Sequence, residues 1–223
     1  MRLVDVIGPV MIGPSSSHTA GAARLGDLAR RIWQRPVSRI VIYLRGSFAA
    51  TYRGHGTDLA LLGGLVGMLP DDPLIPESFR VARENGVTWE FSTEAVDGAH
   101  PNSARFLFSD NSGNEMQITG CSTGGGAVML TEIDGFSLRI SGELPALVTF
   151  HRDEPGVVAA VTGFLSSAGC NIATLNLHRQ GRGENAAMVI ELDDREVEGL
   201  QEEVSGTHPA IFRVIAIPGG GSG

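Results

Sequence analysis

The sequence predicts an α+β protein in two parts, and three observations carry that reading. Helical periodicity is concentrated early in the chain, and short strand-like runs joined by Gly and Asn/Asp turns follow it. The last third then changes to a strand-helix-strand-strand-helix-strand order. Residues 1–141 form the first expected domain, 142–218 the second, and 219–223 a flexible glycine-rich tail. With 223 residues, 42% of them hydrophobic, the chain is long enough to bury two cores.

Each element has its own signal. Arg2 to Met11 reads as a loop or frayed strand, because Gly8 and Pro9 interrupt a short apolar run. From Thr19 onward Leu25, Leu28, Ala29 and Ile32 recur at i, i+3, i+4 and i+7, which predicts an amphipathic helix with Arg24, Asp27, Arg30 and Arg31 off its apolar face. Pro36 breaks it, and Ser38 to Leu44 is a β-branched run expected to be a buried strand. Between Arg45 and Asp58, Gly54 and Gly56 bracket His55, as suits a close backbone approach or a positive φ. Thr57 or Asp58 then caps an apolar helix running to about Leu69, stopped by Pro70. Pro76 and Gly86 delimit a third helix, and Val87 to Ser92 returns to strand character. Residues 104–109 and 115–120 make a hairpin around Asp110 to Asn114. The stretch Gly120 to Gly126 is expected to interrupt the sheet before a second hairpin, 127–133 with 136–140. Beyond Gly142 the expected order is strand 144–152, helix 155–169, strands 172–179 and 186–192, helix 195–205 and strand 211–217, the ferredoxin-like βαββαβ pattern.

Composition excludes several function classes. A net charge of −8 argues against nucleic acid or an anionic membrane surface as a general partner. No apolar run reaches membrane-spanning length and the first residues do not read as a signal peptide, so a cytoplasmic location is expected. All 17 basic residues are arginine. These residues therefore offer no lysine for a Schiff base and no phosphate-binding loop ending in Gly-Lys-Ser/Thr. Two cysteines, Cys121 and Cys170, are too few for a disulfide framework and show no CxxC spacing.

The chemistry-bearing stretch is Ser15-Ser16-Ser17-His18 at a helix start, where backbone N–H groups without intrahelical partners, hydroxyls and an imidazole suit a carboxylate or phosphate. One serine is explained by N-capping; three and a histidine exceed that need. Taken with Gly46-Ser47, the run Gly54 to Asp58, His100-Pro101-Asn102 and Ser122 to Gly126, this stretch resembles the β chain of the iron–sulfur-dependent L-serine dehydratases. The tail, on its βαββαβ order, on Asp153 to Gly156 and on Gly169 to Ile172, resembles the ACT family of amino-acid-binding modules. The resemblance implies a first domain like the allosteric substrate-binding domain of phosphoglycerate dehydrogenase, and a separate α chain holding a [4Fe–4S] cluster. It further implies that Ser15, Ser16, Ser17, Asn102, Ser122 and the Gly124-Gly125 backbone bind L-serine. His18, His55 and His100 are the candidate catalytic groups, with His55 preferred for proton handling because an imidazole works near neutral pH. Gly156 and Asn171 are the expected effector-binding residues, across an ACT dimer. His151, Ser166, Ser167, His178 and His208 are left structural.

Chemistry and composition agree on the partner. Losing the Cα proton and the β-hydroxide of L-serine calls for a Lewis acid, since hydroxide leaves poorly. A cluster with an open iron ordinarily takes at least three thiolates, and this chain has two cysteines. The implied partners are therefore the α chain and L-serine, with homodimerisation through the ACT domain; no metal ligand is assigned to this chain. Two other readings stand beside this one: a non-catalytic amino-acid sensor and a free-standing phosphate-binding protein. Gly120 to Gly124 also matches G-x-S-x-G, but a nucleophile elbow must lead from strand to helix, and here another strand is expected.

Overall fold

The computed structural model describes residues 10–193, 197 and 199–220. The expectations for residues 2–9, for 195, 196 and 198 of the last helix, and for 221–223 of the tail lie outside the described residues. Ser16–Ala20 forms a π-helical turn that runs directly into α1 (Gly21–Trp33). There follow β1 (Arg39–Arg45), α2 (Gly46–His55), α3 (Thr57–Leu65), a 3-10 turn (Ile75–Glu77), α4 (Ser78–Glu84) and β2 (Thr88–Thr93). Strands β3 (Ser103–Ser109), β4 (Glu115–Gly124), β5 (Ala127–Ile133) and β6 (Phe136–Ile140) complete a sheet of order β2-β1-β3-β4-β5-β6. Only β1 with β2 is parallel among the pairings that place β1 to β5. The chain divides into two compact units between Asp134 and Gly135, inside the β5–β6 turn, where the sequence places the boundary after Ser141.

Alternation explains the first core. Ile40, Ile42 and Leu44 of β1 and Ala104, Phe106 and Phe108 of β3 are buried on one face of the sheet, and α1 buries Leu25, Leu28, Ala29 and Ile32, the positions its period selects. The packing of α1 on α3 is set by glycine. A Cβ on Gly64 would sit 1.9 Å from the carbonyl oxygen of Ala23 and 2.7 Å from the nitrogen of Asp27. One on Gly26 would sit 2.2 Å from the carbonyl oxygen of Leu61. The two backbones therefore touch, with the first turns of α1 against the last turns of α3.

Three expectations are corrected: the N-cap and the end of α3, and the sheet interruption at Gly120 to Gly124. Of the two glycines that bracket His55, Gly54 stays helical within α2, which ends on His55, and Gly56 takes the positive φ, at +67°. Gly56 rather than Thr57 or Asp58 stands at the N-cap of α3, with Asp58 accepting from the amide of Leu59 at 2.9 Å. That helix ends at Leu65, because Gly67 turns left-handed before Pro70 is reached. Gly120 to Gly124 do not interrupt the sheet, since β4 continues through them. Gly120 is needed there because a Cβ would lie 2.7 Å from the Leu25 side chain of α1.

Beyond β6, the second unit contains β7 (Ala146–Arg152), α5 (Val157–Ser167), β8 (Ile172–Arg179), β9 (Asn185–Leu192), α6 (Leu200–Ser205) and β10 (Ile211–Ile217). The order β10-β7-β9-β8, antiparallel throughout, is the ferredoxin-like arrangement the element order predicts. Leu147, Val161, Leu165, Ile190, Val204 and Val214 make its core. The edge strand β8 is exposed along nearly its whole length, with Leu175 and Leu177 among the exposed large apolar residues. No helix among the described residues is long and apolar enough to cross a membrane.

Gly64→Ala should lower stability by about 1–3 kcal/mol or more, because the obstructing atoms are backbone of another helix and cannot swing aside. Gly54→Ala, with open space at the Cβ position, should instead be neutral or stabilising by up to about 1 kcal/mol, the helix-propensity gain. Urea and thermal unfolding of the two variants against the parent chain measures both.

Candidate active site

The site is built around the turn that precedes α1. Ser15 is extended, and its Oγ accepts from the amide of His18 at 3.2 Å, so this serine does the N-capping. Ser17 does something else. Its Oγ lies 3.1 Å from Nδ1 of His18, while Nε2 of the same ring lies 3.0 Å from Oγ of Ser47 in the first turn of α2. His18 is thus held at both nitrogens by hydroxyls. Its ring stands 5.1 Å from that of His55, edge to face at 88°, and 5.3 Å from buried Phe48. Although they are 37 positions apart in sequence, the two histidines meet because α2 runs from Ser47 to His55 beside the turn.

The His100-Pro101-Asn102 loop is locked to the same region through its backbone. The Phe48 amide donates to the Pro101 carbonyl at 3.2 Å, and a Cβ on Gly46, whose φ is +54°, would lie 2.6 Å from Cα of Pro101. The Ser122 amide donates to the Asn102 carbonyl at 2.9 Å. The ring of His100 turns to its own loop, Nδ1 accepting from the Asn102 amide at 3.2 Å. Ser122 points at the start of α1: a Cβ on Gly21 would be 2.1 Å from its Oγ. The Gly124 to Gly126 turn follows, and Arg24 of α1 donates to the Gly126 carbonyl at 3.2 Å. This turn leads into β5, so the strand-to-helix context of a nucleophile elbow is absent and Ser122 is not presented as one.

Three hydroxyls here, of Thr19, Thr57 and Ser122, are buried and have no hydrogen-bond partner among the described residues. Such groups each cost about 1–3 kcal/mol, which a polar ligand can offset. Among the described residues no three His, Cys, Asp or Glu side chains gather as metal ligands. Cys121 is buried in β4 and Cys170 belongs to the second unit, so this chain's residues do not fit an iron–sulfur cluster.

A family model described as the serine dehydratase beta chain matches residues 4–84, and one described as the ACT domain matches residues 146–206. The chain is 43% identical over 213 residues to the probable L-serine dehydratase beta chain of Bacillus subtilis (strain 168), covering 96% of each. It is 36% identical over 203 residues to the L-serine dehydratase beta chain of Peptoniphilus asaccharolyticus, covering 91% of each. The chain belongs to the serine dehydratase β-chain family. It is also 24% identical over 185 residues to D-3-phosphoglycerate dehydrogenase of Synechocystis, over 82% of this chain and 33% of that one.

In this β-chain fold the two histidines differ in exposure. Burial first, and then the charge of neighbouring His55, hold the His18 imidazole below the usual histidine range. His55, at the helix end, is exposed. Burial also pushes the carboxyl of Asp58 up. In the second unit Gly156 takes φ +100° at the N-cap of α5, and Asn171, past that helix's far end, donates to Asp193 at 2.5 Å. The eleven residues of α5 separate the two positions by about 16 Å at the α-helical rise, so they do not share one site within a protomer. His151 is buried, 3.4 Å from Oγ1 of Thr149, and burial lowers its pKa.

The sequence candidates omitted Ser47, Thr19, Thr57 and Arg24. Ser47 stands inside a motif already singled out, so its position was visible; that it reaches back across 29 residues to His18 was not. Nothing in the local sequence marks Thr19 or Thr57 as unpaired.

Titration of the histidine rings by NMR should place His18 below about 6.5, the ordinary histidine value. His55→Gln should move it upward, since a like charge is removed. Because its folded pKa is depressed, the contribution of neutral His18 to stability is present above about 6.5 and is lost as pH falls through the folded value.

Proposed function

We propose that this chain is the β subunit of an L-serine dehydratase. Its first unit supplies the pocket in which L-serine loses its Cα proton and β-hydroxyl, as water, to give aminoacrylate, which water converts to pyruvate and ammonia. The observation that carries the reading is the pairing of a doubly hydrogen-bonded, neutral His18 with an exposed His55 beside a serine-rich helix start. The two β-chain relatives, similar along nearly the whole length, are named for that reaction.

In this reading the substrate carboxylate sits at the start of α1, with Ser16, Ser17 and the unpaired hydroxyl of Ser122 as donors. Asn102 and the Gly124-Gly125 backbone line the same side. His55 takes the Cα proton. The Lewis acid is a [4Fe–4S] cluster on a separate α chain, since the cysteines here do not form a ligand set. The complex works in the cytoplasm, and the functional division follows residues 1–141 and 142–218. The second unit dimerises along β8, whose exposed edge leaves main-chain groups to pair with a second copy, and Gly156 of one protomer then meets Asn171 of the other around an amino-acid effector.

An anaerobic L-serine-to-pyruvate assay checks this. Pyruvate should form only when the chain is co-expressed with an α chain and the cluster reconstituted, and His55→Gln should lower kcat by roughly 10²- to 10⁴-fold, the range for a general base. Turnover undiminished by His55→Gln would favour a sensor over a catalytic subunit.

A further inference from the structure

We propose that Ser47 is a positioning residue for the dehydratase reaction: its hydroxyl holds the Nε2 edge of His18 and thereby sets the face that His18 presents to His55. This rests on the reading of His55 as the proton-handling group.

An unbroken line of polar atoms runs from Ser15 to Ser47. Oγ of Ser15 lies 3.3 Å from Oγ of Ser17, which lies 3.1 Å from Nδ1 of His18, whose Nε2 lies 3.0 Å from Oγ of Ser47. A serine hydroxyl both donates and accepts, so the line satisfies either neutral tautomer of the ring. It supplies no negative charge, so it gives an imidazolium nothing to pair with. Both nitrogens of His18 face hydroxyls of this chain, so neither is turned toward a substrate Cα proton, which a general base for that step must reach. His18 is therefore held as a neutral support, and the exposed ring it touches edge-on is that of His55.

Ser47 is itself tightly placed. Gly46 clamps against Pro101, Thr51 Oγ1 donates to the Ser47 carbonyl at 2.8 Å, and Arg45 is tied to Glu94 at 2.7 Å. Glu94 in turn holds Arg105 at 2.6 Å. The hydroxyl that grips His18 thus stands on a frame fixed from β1, β3 and the 100–102 loop. Helices α1, α2 and α3 and strand β4 pack on the turn. Asp27 is paired with Arg30 and Arg31, and Glu115 begins β4, at the end away from Ser122. Of Arg24, Tyr52, Arg53, His55, Asp58 and Cys121, which remain, His55 is the group whose charge bears on His18.

The test uses Ser47→Ala and Ser47→Thr in the full chain. With the α chain present and the parent complex active, Ser47→Ala should lower kcat on the order of ten-fold with KM within about two-fold, the scale of one lost hydrogen bond. The acid limb of its pH profile should move upward, since a less confined His18 protonates more readily. Ser47→Thr, which keeps the hydroxyl, should restore both. NMR titration of the isolated chain reads the same contact without turnover: the His18 pKa should rise in Ser47→Ala and not in Ser47→Thr. A raised KM with unchanged kcat would overturn the proposal by making Ser47 a substrate ligand. An unmoved His18 titration, or equal losses in both variants, would overturn it as well. If the parent complex fails to convert L-serine, the functional reading falls while the NMR result still decides the contact.

Discussion

Everything at the site depends on how closely α1 and α3 approach. Helices normally lie 8–10 Å apart, held off by side chains, and here Gly26 and Gly64 remove that spacer from both partners. Main chain then rests on main chain, and dense packing leaves the pair little freedom to slide. Since the serine-rich turn is the forward extension of α1, and His55 stands two residues before α3, fixing one helix against the other fixes the turn against the histidine. Gly120 extends the same device to the sheet, letting Leu25 of α1 sit directly on β4. Glycines at these positions are thus parts of the site's scaffold, though none of them does chemistry.

Polar contacts then refine what packing has positioned. His18 is surrounded by hydroxyls, a phenyl ring and a second imidazole, which favour the neutral form by offering no compensating anion. Glu94 is spent on Arg45 and Arg105, and the hydrogen bond from Arg105 holds its carboxyl below the usual range. Charge is thereby neutralised at the β1–α2 junction and kept away from the histidine pair. The buried hydroxyls of Thr19, Thr57 and Ser122 are the part of this design that the protein itself leaves unsatisfied.

The two units suit different tasks. The first concentrates hydroxyls and imidazoles at one helix start, whereas the second buries an apolar core under one face of a four-stranded sheet and leaves an edge strand bare. Similarity to β chains over nearly the full length, and to phosphoglycerate dehydrogenase over a third of that enzyme, shows this pair of units to be shared by relatives of different names. Fold by itself does not settle function, and here the side chains at the α1 start carry the distinction.

What the amino-acid sequence determined by itself was whatever depends on near neighbours. The 3.6-residue period of α1, the alternation in β1 and β3, the turn residues of the hairpins and the βαββαβ order of residues 146–217 were all legible, because each is written in spacings of a few residues. So were the motifs on which the family resemblance rests. Tertiary structure decided the rest. The stretch 46–55 is helical despite its glycines because Gly46 is clamped by Pro101 and Phe48 is buried at the core, contacts made across more than fifty residues. β4 runs through Gly120 to Gly124 because two neighbouring strands and a helix close on it. And Ser47 found His18, rather than solvent, because a helix two elements away carries it there. Local sequence sets propensities worth tenths of a kcal/mol per residue, while packing and buried hydrogen bonds are worth about a kcal/mol or more each, so long-range contact wins where the two disagree.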